Sequence, residues 1–307
     1  MKIAVVGAGA MGSLFGGRLS RVTDVWLLDT WEEHVRALQE GGLHLIEPEG
    51  EEVIKVKATT NLEEIPKDID LAIIFVKSHQ TEMAARMAGH FLKRDGIALT
   101  LQNGLGNLKV IASVLGENRA LQGVTSEGAT LLGPGKVRHA GRGPTYLSTR
   151  PDISKQVEEI ADLFRKAGFE VHISPELDSL IWGKLVINVG INALTAILRV
   201  PNGYLAEIEP ARELMGQAVA EAVEVARAKG VKLPYEDPQE RVKEVCRATA
   251  ANRSSMLQDV LRGARTEIDV INGAVVKEGE RLGVPTPINR TLVALVKAIE
   301  ESYPVRI

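Results

Sequence analysis

Residues 2–29 read KIAVVGAGAMGSLFGGRLSRVTDVWLLD, and this stretch decides the fold. A run of β-forming residues leads into GAGAMG at positions 7–12, which fits the pattern G-x-G-x-x-G. A helical pattern follows, and Asp29 stands at the end of the next strand-like run. The glycine pattern alone is weak evidence. A strand before it, a helix after it and an acidic residue about 20 positions on together predict a dinucleotide-binding βαβ unit.

The residues of this motif have separate predicted tasks. Gly7 permits the tight turn, Gly9 lets the backbone approach the pyrophosphate, and Gly12 allows the helix to pack closely on the strand. Ala10 and Met11 open the helix, whose free N–H groups and dipole favour phosphate binding. The alternative is a glycine-rich turn that merely joins a strand to a helix.

Asp29 bears on the choice of cofactor. A carboxylate at the end of the second strand accepts hydrogen bonds from ribose hydroxyls and repels a 2′-phosphate. The residues that follow it, TWEE, include no basic side chain, although Arg18, Arg21 or Lys77 could approach in space. We therefore expect NAD as the cofactor, with NADH preferred and NADP in second place. The alternative for Asp29 is an ordinary strand-end turn residue.

Residues 1–173 alternate strand-like and helical patterns, which is typical of a parallel α/β sheet. Strands are expected at 3–6, 25–28, 71–76 and 97–101, and a helix over 153–167 followed by FEVHI closes this domain. Residues 174–307 carry long helical periodicities, with helices expected at 177–198, 210–229, 238–261, 266–282 and 287–302. The predicted fold class is α/β, an N-terminal Rossmann-type parallel sheet with a C-terminal all-helical domain.

Composition narrows the function classes. The net charge of −3, from 37 basic and 40 acidic residues without long runs, argues against nucleic-acid binding. Cys246 is the single cysteine and lies in a helical pattern, and no histidine stands at metal-ligand spacing, so we expect neither a disulfide nor a metal. No signal peptide is recognisable and no stretch reaches the apolar length of a membrane span, which predicts a cytoplasmic protein.

A polar stripe interrupts the apolar segment LIWGKLVINVGINALTAIL at residues 180–198. Lys184, Asn188 and Asn192 follow one another at spacings of four, which places them on one face of a helix. Burying these groups without partners is costly, so a polar ligand is the predicted partner. The alternative is a stripe that faces solvent.

Two further polar residues, Lys77 and Asn103, follow predicted strands. Ligands of open α/β sheets gather at the carboxyl ends of the strands, which makes both residues binding candidates. Asn103-Gly104 is also a common turn pair, and this second interpretation stays open.

These segments together resemble the ketopantoate reductase family. The resemblance rests on MKIAVVGAGAMGSLFGGRL, VKSHQT, LQNGLGN, WGKLVINVGINALTAIL, PNGYL and SSMLQDVLRGARTEIDVINGAVV, which span nearly the whole chain in the family's order. It implies reduction of 2-dehydropantoate to (R)-pantoate by a reduced nicotinamide, a step toward pantothenate and coenzyme A.

By this resemblance Lys184 is the catalytic lysine and Glu267 its acidic companion. The substrate-binding residues would be Asn103, Asn188, Asn192, Asn202, Asn252 and Ser255, and Lys77, Asn103 and Ala129 would lie near the cofactor. An ammonium group suits the reaction, because hydride delivery to a ketone leaves negative charge on oxygen that a lysine can stabilise and protonate. This chain departs from the family pattern at one place. Members that prefer NADPH usually carry a basic residue just after the second strand, where this chain has Asp29-Thr30-Trp31.

Two other functions stay open. A related two-domain dehydrogenase could act on another 2-oxo or hydroxy acid, although the TEID and SSMLQD segments argue against it. A non-catalytic nicotinamide-sensing protein is the second, and the presence of both Lys184 and Glu267 argues against that. The expected partner is the small molecule 2-dehydropantoate, with no nucleic acid or membrane. The sequence leaves the oligomeric state open, a homodimer among the alternatives.

Overall fold

The computed structural model describes residues 1–305. The chain forms two compact units. The first comprises Met1–Gln102 and Asn107–Leu177, and the second comprises Asn103–Gly106 together with the chain from Asp178 onward. The first is an α/β unit and the second is helical, so the predicted fold class is confirmed. The predicted boundary between residues 173 and 174 stays a prediction.

The α/β unit contains two sheets. Its strands are β1 (Lys2–Val6), β2 (Asp24–Leu28), β3 (Leu43–Glu47), β4 (Gly50–Ile54), β5 (Lys57–Thr59), β6 (Ile69–Ile74), β7 (Leu92–Thr100), β8 (Ala120–Thr125), β9 (Gly128–Gly133), β10 (Lys136–Gly141), β11 (Thr145–Ser148) and β12 (Val171–Ser174). Eight of them form one sheet in the order β12-β11-β8-β7-β6-β1-β2-β5. Neighbours run parallel except β8 and β11, whose antiparallel pairing departs from the purely parallel sheet expected.

Helices cover both faces of this sheet. They are α1 (Ala10–Ser20), α2 (Glu32–Gly41), α3 (Thr81–Phe91), α4 (Asn107–Leu115) and α5 (Ser154–Lys166). Alternate residues of β1 enter different cores: Ile3 packs with the α1 and α5 side, and Ala4 packs with the α3 side. Burial on both faces explains why the β1 sequence is continuously apolar.

The order of the strands creates a switch point beside β1. Its neighbours are β2 on one side and β6 on the other, so the chain reverses its direction of progress across the sheet there. Ligands of open α/β sheets bind outside the carboxyl ends of the strands at such a point. The glycine loop follows β1 and Lys77 follows β6, which puts both sequence candidates at this edge.

A second, four-stranded sheet in the order β4-β3-β10-β9 was not predicted. These strands lack long apolar runs, and most of β4 is exposed. Tight turns join them, with Gly135 at a φ of +68° between β9 and β10. The sheet packs on α1, the helix that follows the glycine loop.

The helical unit contains the remaining helices: α6 (Leu177–Leu198), α7 (Tyr204–Glu207), α8 (Glu209–Ala228), α9 (Pro238–Ala248), α10 (Ser255–Leu261), α11 (Asn272–Leu282) and α12 (Pro287–Glu301). The helices predicted at 177–198, 210–229 and 287–302 are confirmed as α6, α8 and α12. The apolar residues of α6, with Trp182 the largest, pack into the core of the unit.

Two helix predictions were wrong. The helix expected over 238–261 breaks between α9 and α10, because backbone carbonyls of Ala250 and Asn252 accept hydrogen bonds from the turn at 202–203. The helix expected over 266–282 begins only at α11. The carbonyl of Val270 explains this, because it accepts a hydrogen bond from the N–H of Leu105 in place of a hydrogen bond within a helix.

The expectation that no stretch reaches the length of a membrane span also needs correction. Helix α6 is long and apolar enough by length and composition. However, 72% of its most apolar window is buried inside the protein, as in a core helix. Its apolar character therefore reflects packing on the helices around it.

Candidate active site

The glycine loop between β1 and α1 gives each glycine a separate environment. Gly7 has a φ of +93°, which glycine adopts freely. A Cβ at Gly12 would lie 1.9 Å from the carbonyl oxygen of Gly7, so α1 can pack this closely only with glycine there. A Cβ at Gly9 would meet no atom within 4 Å, so the backbone there is open to approach. The loop thus has the three features that a pyrophosphate site needs.

The carbonyl of Ala8, inside the loop, is held by two buried side chains. Ser13 Oγ donates to it at 2.6 Å, and His34 Nε2 lies 2.9 Å away. Sequence reasoning missed both residues. A signal existed in α2, whose buried residues are His34, Val35 and Leu38 and therefore place the histidine on the inward face.

Asp29 directly follows β2 and is half-buried. Its Oδ1 accepts the N–H of Trp31 at 2.9 Å, which fixes the carboxylate at the end of the strand. Arg18 and Arg21, which could have neutralised a phosphate there, are each paired with glutamates of the first unit. The structure therefore leaves these two arginines engaged away from Asp29.

Lys77 and Ala129 are the other cofactor candidates of the α/β unit; Lys77 follows β6, and Ala129 lies within β9. Lys77 has an extended backbone and directly precedes the short 3-10 helix Ser78–Gln80. Ala129 lies in β9, four residues past the end of β8, and is paired with His139 of β10. Both residues are half-buried.

A buried ionic network beside Ala129 was not predicted. His139 bonds Glu127 through Nε2 and Glu47 through Nδ1, the latter at 3.1 Å, and Arg18 also pairs with Glu47. The hydrogen bond to Glu127 raises the pKa of His139, although burial opposes this. Arg18 and His139 thus partner the carboxylates of Glu47 and Glu127 inside the α/β unit, which is how a protein tolerates buried charge.

The polar stripe lies on α6, as expected. Lys184 and Asn188 are half-buried, and Asn192 is only 5% exposed. Leu185, Val186 and Val189 around them are buried. The stripe is therefore not a solvated face, and its polar groups point into an enclosed environment.

Lys184 and Glu267 interact within the helical unit. Burial lowers the pKa of Lys184 to about 8, and the negative charge of Glu267 opposes that decrease. Glu267 is 9% exposed, so it is not the solvated surface glutamate that its sequence context would suggest. It directly precedes the 3-10 helix Ile268–Val270. A lysine with a pKa near 8 is charged at neutral pH and can still release its proton, as a general acid must.

Asn202 lies in the turn before α7 and is 8% exposed. Its Nδ2 donates to Thr249 Oγ1 at 2.9 Å. The hydroxyl of Thr249 donates in turn to Val245 O at 2.7 Å, so the orientation of the Asn202 amide is fixed. Within residues 1–305, the buried Oδ1 of Asn202 has no hydrogen-bond donor. The turn thus contains a buried acceptor that is unsatisfied.

The remaining candidates of the helical unit differ in burial. Asn252 and Ser255 are exposed, whereas the neighbouring Ser254 is buried, caps α10 and lies 2.7 Å from Thr195 Oγ1. Sequence reasoning missed Ser254, although serine before a helical run is a common cap. Asn103 is half-buried and begins the short segment that joins the helical unit, so it belongs to the same unit as Lys184.

Comparison with known proteins gives consistent matches over the whole chain. Residues 3–152 match the family model "Ketopantoate reductase PanE/ApbA" and residues 176–300 match its C-terminal counterpart. A 2-dehydropantoate 2-reductase of Halobacterium salinarum is 39% identical over 97% of this chain and 98% of its own length. A ketopantoate reductase structure from Ralstonia eutropha superposes with a TM-score of 0.91 at 36% identity, covering 98% of this chain and 99% of that one. A D-mandelate dehydrogenase solved with NADH and anilino(oxo)acetate also gives 0.91, at 32% identity over 99% and 100%.

Proposed function

Since this chain belongs to the ketopantoate reductase family, we propose that it reduces 2-dehydropantoate to (R)-pantoate with a reduced nicotinamide, a step toward pantothenate and coenzyme A. The observation that carries the proposal is a half-buried lysine, Lys184, whose ammonium form is favoured by the negative charge of the buried Glu267. A carbonyl reduction needs a proton donor of this kind, and a merely nicotinamide-sensing protein does not.

The glycine loop fits the dinucleotide. Gly7, Gly9 and Gly12 give the turn, the open backbone and the close helix packing that a pyrophosphate requires, with Ala10 and Met11 at the N-terminus of α1. Lys77, Asn103 and Ala129 would lie near the cofactor. When bound, the reduced nicotinamide supplies the hydride.

NADH is the preferred cofactor in this proposal. The Asp29 carboxylate is fixed at the end of β2 by the N–H of Trp31 and would accept hydrogen bonds from the ribose hydroxyls. A 2′-phosphate at that position would meet like charge, and the pairing of Arg18 and Arg21 elsewhere leaves neither to neutralise it. NADP would be used less well.

Lys184 performs the acid step. Its ammonium group donates a hydrogen bond to the carbonyl oxygen of the oxo acid, stabilises the negative charge that develops there and transfers its proton to that oxygen. The negative charge of Glu267 favours the ammonium form that this step needs, against the effect of burial. The side chain is thus charged before the reaction and neutral after it.

Neutral amides hold the rest of the substrate. Asn188 and Asn192 continue the stripe from Lys184 along α6 and would bind the carboxylate, with Asn103, Asn252 and Ser255 as further contacts. The buried Oδ1 of Asn202 lacks a donor, and leaving such an acceptor unpaired costs about 1–3 kcal/mol. A substrate hydroxyl, such as the one on C4 of 2-dehydropantoate, would satisfy it once the turn opens to expose this buried oxygen.

The likeness to a D-mandelate dehydrogenase supports a second candidate, reduction of an aromatic 2-oxo acid. Its acid step would use the same lysine. The two candidates differ at Asn202, because 2-oxo-2-phenylacetate has no hydroxyl to offer the unpaired oxygen. We favour 2-dehydropantoate for this reason.

The test follows the nicotinamide absorbance with each reduced cofactor and each of the two oxo acids. We expect a catalytic efficiency at least about tenfold higher with 2-dehydropantoate, the scale of one buried hydrogen bond. Higher efficiency with 2-oxo-2-phenylacetate would favour the second candidate, and no cofactor oxidation with either acid would favour a sensing protein. We also place the protein in the cytoplasm, since α6, the span-length helix found within residues 1–305, packs into the core. A homodimer stays a prediction.

A further inference from the structure

His34 is an uncharged histidine whose tautomer is fixed by the structure. The N–H of Gly135, in the turn between β9 and β10, donates to its Nδ1 at 3.0 Å. Since Nδ1 accepts this hydrogen bond, the proton of the neutral ring is on Nε2. Nε2 is therefore the donor to the Ala8 carbonyl at 2.9 Å. The ring has no solvent exposure, and the indole of Trp31 is stacked on it with centroids 5.3 Å apart.

This hydrogen bond sets the orientation of one peptide group in the glycine loop. The peptide that joins Ala8 to Gly9 is planar and trans, so its C=O and its N–H point in opposite directions. His34 and Ser13 hold the carbonyl toward the buried side. The N–H of Gly9 must then point away from them, and the backbone at Gly9 is uncrowded, since a Cβ there would meet no atom within 4 Å.

We propose that His34 is a positioning residue for the cofactor, which holds the Ala8–Gly9 peptide so that the Gly9 N–H faces the pyrophosphate. The inference rests on the proposed cofactor site in the glycine loop. The four-stranded sheet contributes to this positioning. The N–H of Gly135, in the turn between β9 and β10, selects the tautomer whose Nε2 can donate to the Ala8 carbonyl. His34 itself does not touch the cofactor in this account.

A purely structural role makes a different prediction. If His34 only fastened α2 to the four-stranded sheet, the bond to Gly135 would matter and the bond to Ala8 would not. Two substitutions separate the bonds. The amide nitrogen of glutamine can replace Nε2, and the amide oxygen of asparagine can replace Nδ1, because each stands at the same number of bonds from Cβ.

The experiment measures the dissociation constant of NADH by nicotinamide fluorescence in the wild-type protein, His34→Gln and His34→Asn. We expect His34→Asn to weaken binding about tenfold, the effect of one lost hydrogen bond to a charged group. His34→Gln should stay within about threefold of the wild type. Turnover at saturating NADH and the KM for the oxo acid should change little in either variant. His44→Asn, at an exposed histidine of β3, is the control and should bind NADH normally.

Unchanged NADH binding in His34→Asn, or an equal loss in both variants, would overturn the proposal. If His34→Asn does not fold, Ser13→Ala decides, because it removes the other donor to Ala8 O and leaves Gly135 untouched. A several-fold weaker affinity in Ser13→Ala supports the positioning role, and an unchanged affinity contradicts it. Failure of the wild-type protein to bind NADH would instead contradict the proposed cofactor site.

Discussion

The two units of this protein present their candidate binding groups in different ways. In the α/β unit the groups are backbone N–H donors of a glycine loop, in which a Cβ at Gly7 or Gly12 would collide with backbone and a Cβ at Gly9 would meet no atom. In the helical unit they are side chains of a buried helix, Lys184, Asn188 and Asn192. The comparison predicts that substitutions of the α6 side chains lower turnover without weakening cofactor binding, whereas changes around the glycine loop weaken cofactor binding with little effect on turnover.

The largest effect is expected at Lys184. Lys184→Ala should lower turnover of 2-dehydropantoate by a factor on the order of a hundred or more, the scale of a lost general acid, with little change in the dissociation constant of NADH. Steady-state rates and NADH fluorescence titration measure the two quantities. Lys232→Ala, at an exposed lysine of the same unit, is the control and should match the wild type. Near-normal turnover in folded Lys184→Ala would contradict the assignment of Lys184 as the general acid.

A smaller effect is expected for the choice of cofactor. We predict that catalytic efficiency with NADH exceeds that with NADPH roughly tenfold, because like-charge repulsion at Asp29 is partly screened by solvent. Asp29→Ala should narrow the gap by improving NADPH. A wild-type enzyme that prefers NADPH would contradict this account of the α/β unit.

Asn192 should show a still smaller effect, confined to the substrate. An amide can bind a ligand but cannot deliver a proton at neutral pH, so Asn192→Ala should raise the KM for 2-dehydropantoate about fivefold. Initial rates over a range of oxo acid concentrations measure this. A change limited to the affinity for NADH would contradict the proposal that Asn192 binds the oxo acid and not the cofactor.

The smallest expected effect is a pH dependence of stability at His139. Its pKa is raised above the ordinary 6.5 in the folded protein, chiefly by Glu127, so the folded state binds the proton more tightly than the unfolded chain does. The stabilisation is fully present below about pH 6.5 and is lost as the pH rises through the folded-state pKa. Denaturant unfolding at stepped pH should therefore show a wild-type advantage over His139→Gln that shrinks toward alkaline pH. An advantage that stays constant would contradict the ionic network.

The predictable parts of the molecule were those with a local pattern. The strand-glycine-helix sequence around Gly7 and the four-residue spacing from Lys184 to Asn192 each lie within one or two elements, so the sequence alone indicated them. The four-stranded sheet, His34 and the Glu127–His139 pair depend on contacts between residues far apart in the chain, such as Gly135 with His34. The helix expected over 238–261 breaks after α9 for a similar reason, because the carbonyls of Ala250 and Asn252 accept hydrogen bonds from the distant turn at 202–203.

The most direct test of the central claim is the pH profile of catalytic efficiency with 2-dehydropantoate. Because the proton donor must be charged and burial lowers the pKa of Lys184 to about 8, efficiency should fall as the pH rises through about 8. In Lys184→Ala the small residual rate should lack this decrease. A wild-type efficiency that stays level through pH 8, or a decrease that persists unchanged in Lys184→Ala, would contradict the role of Lys184 as the acid.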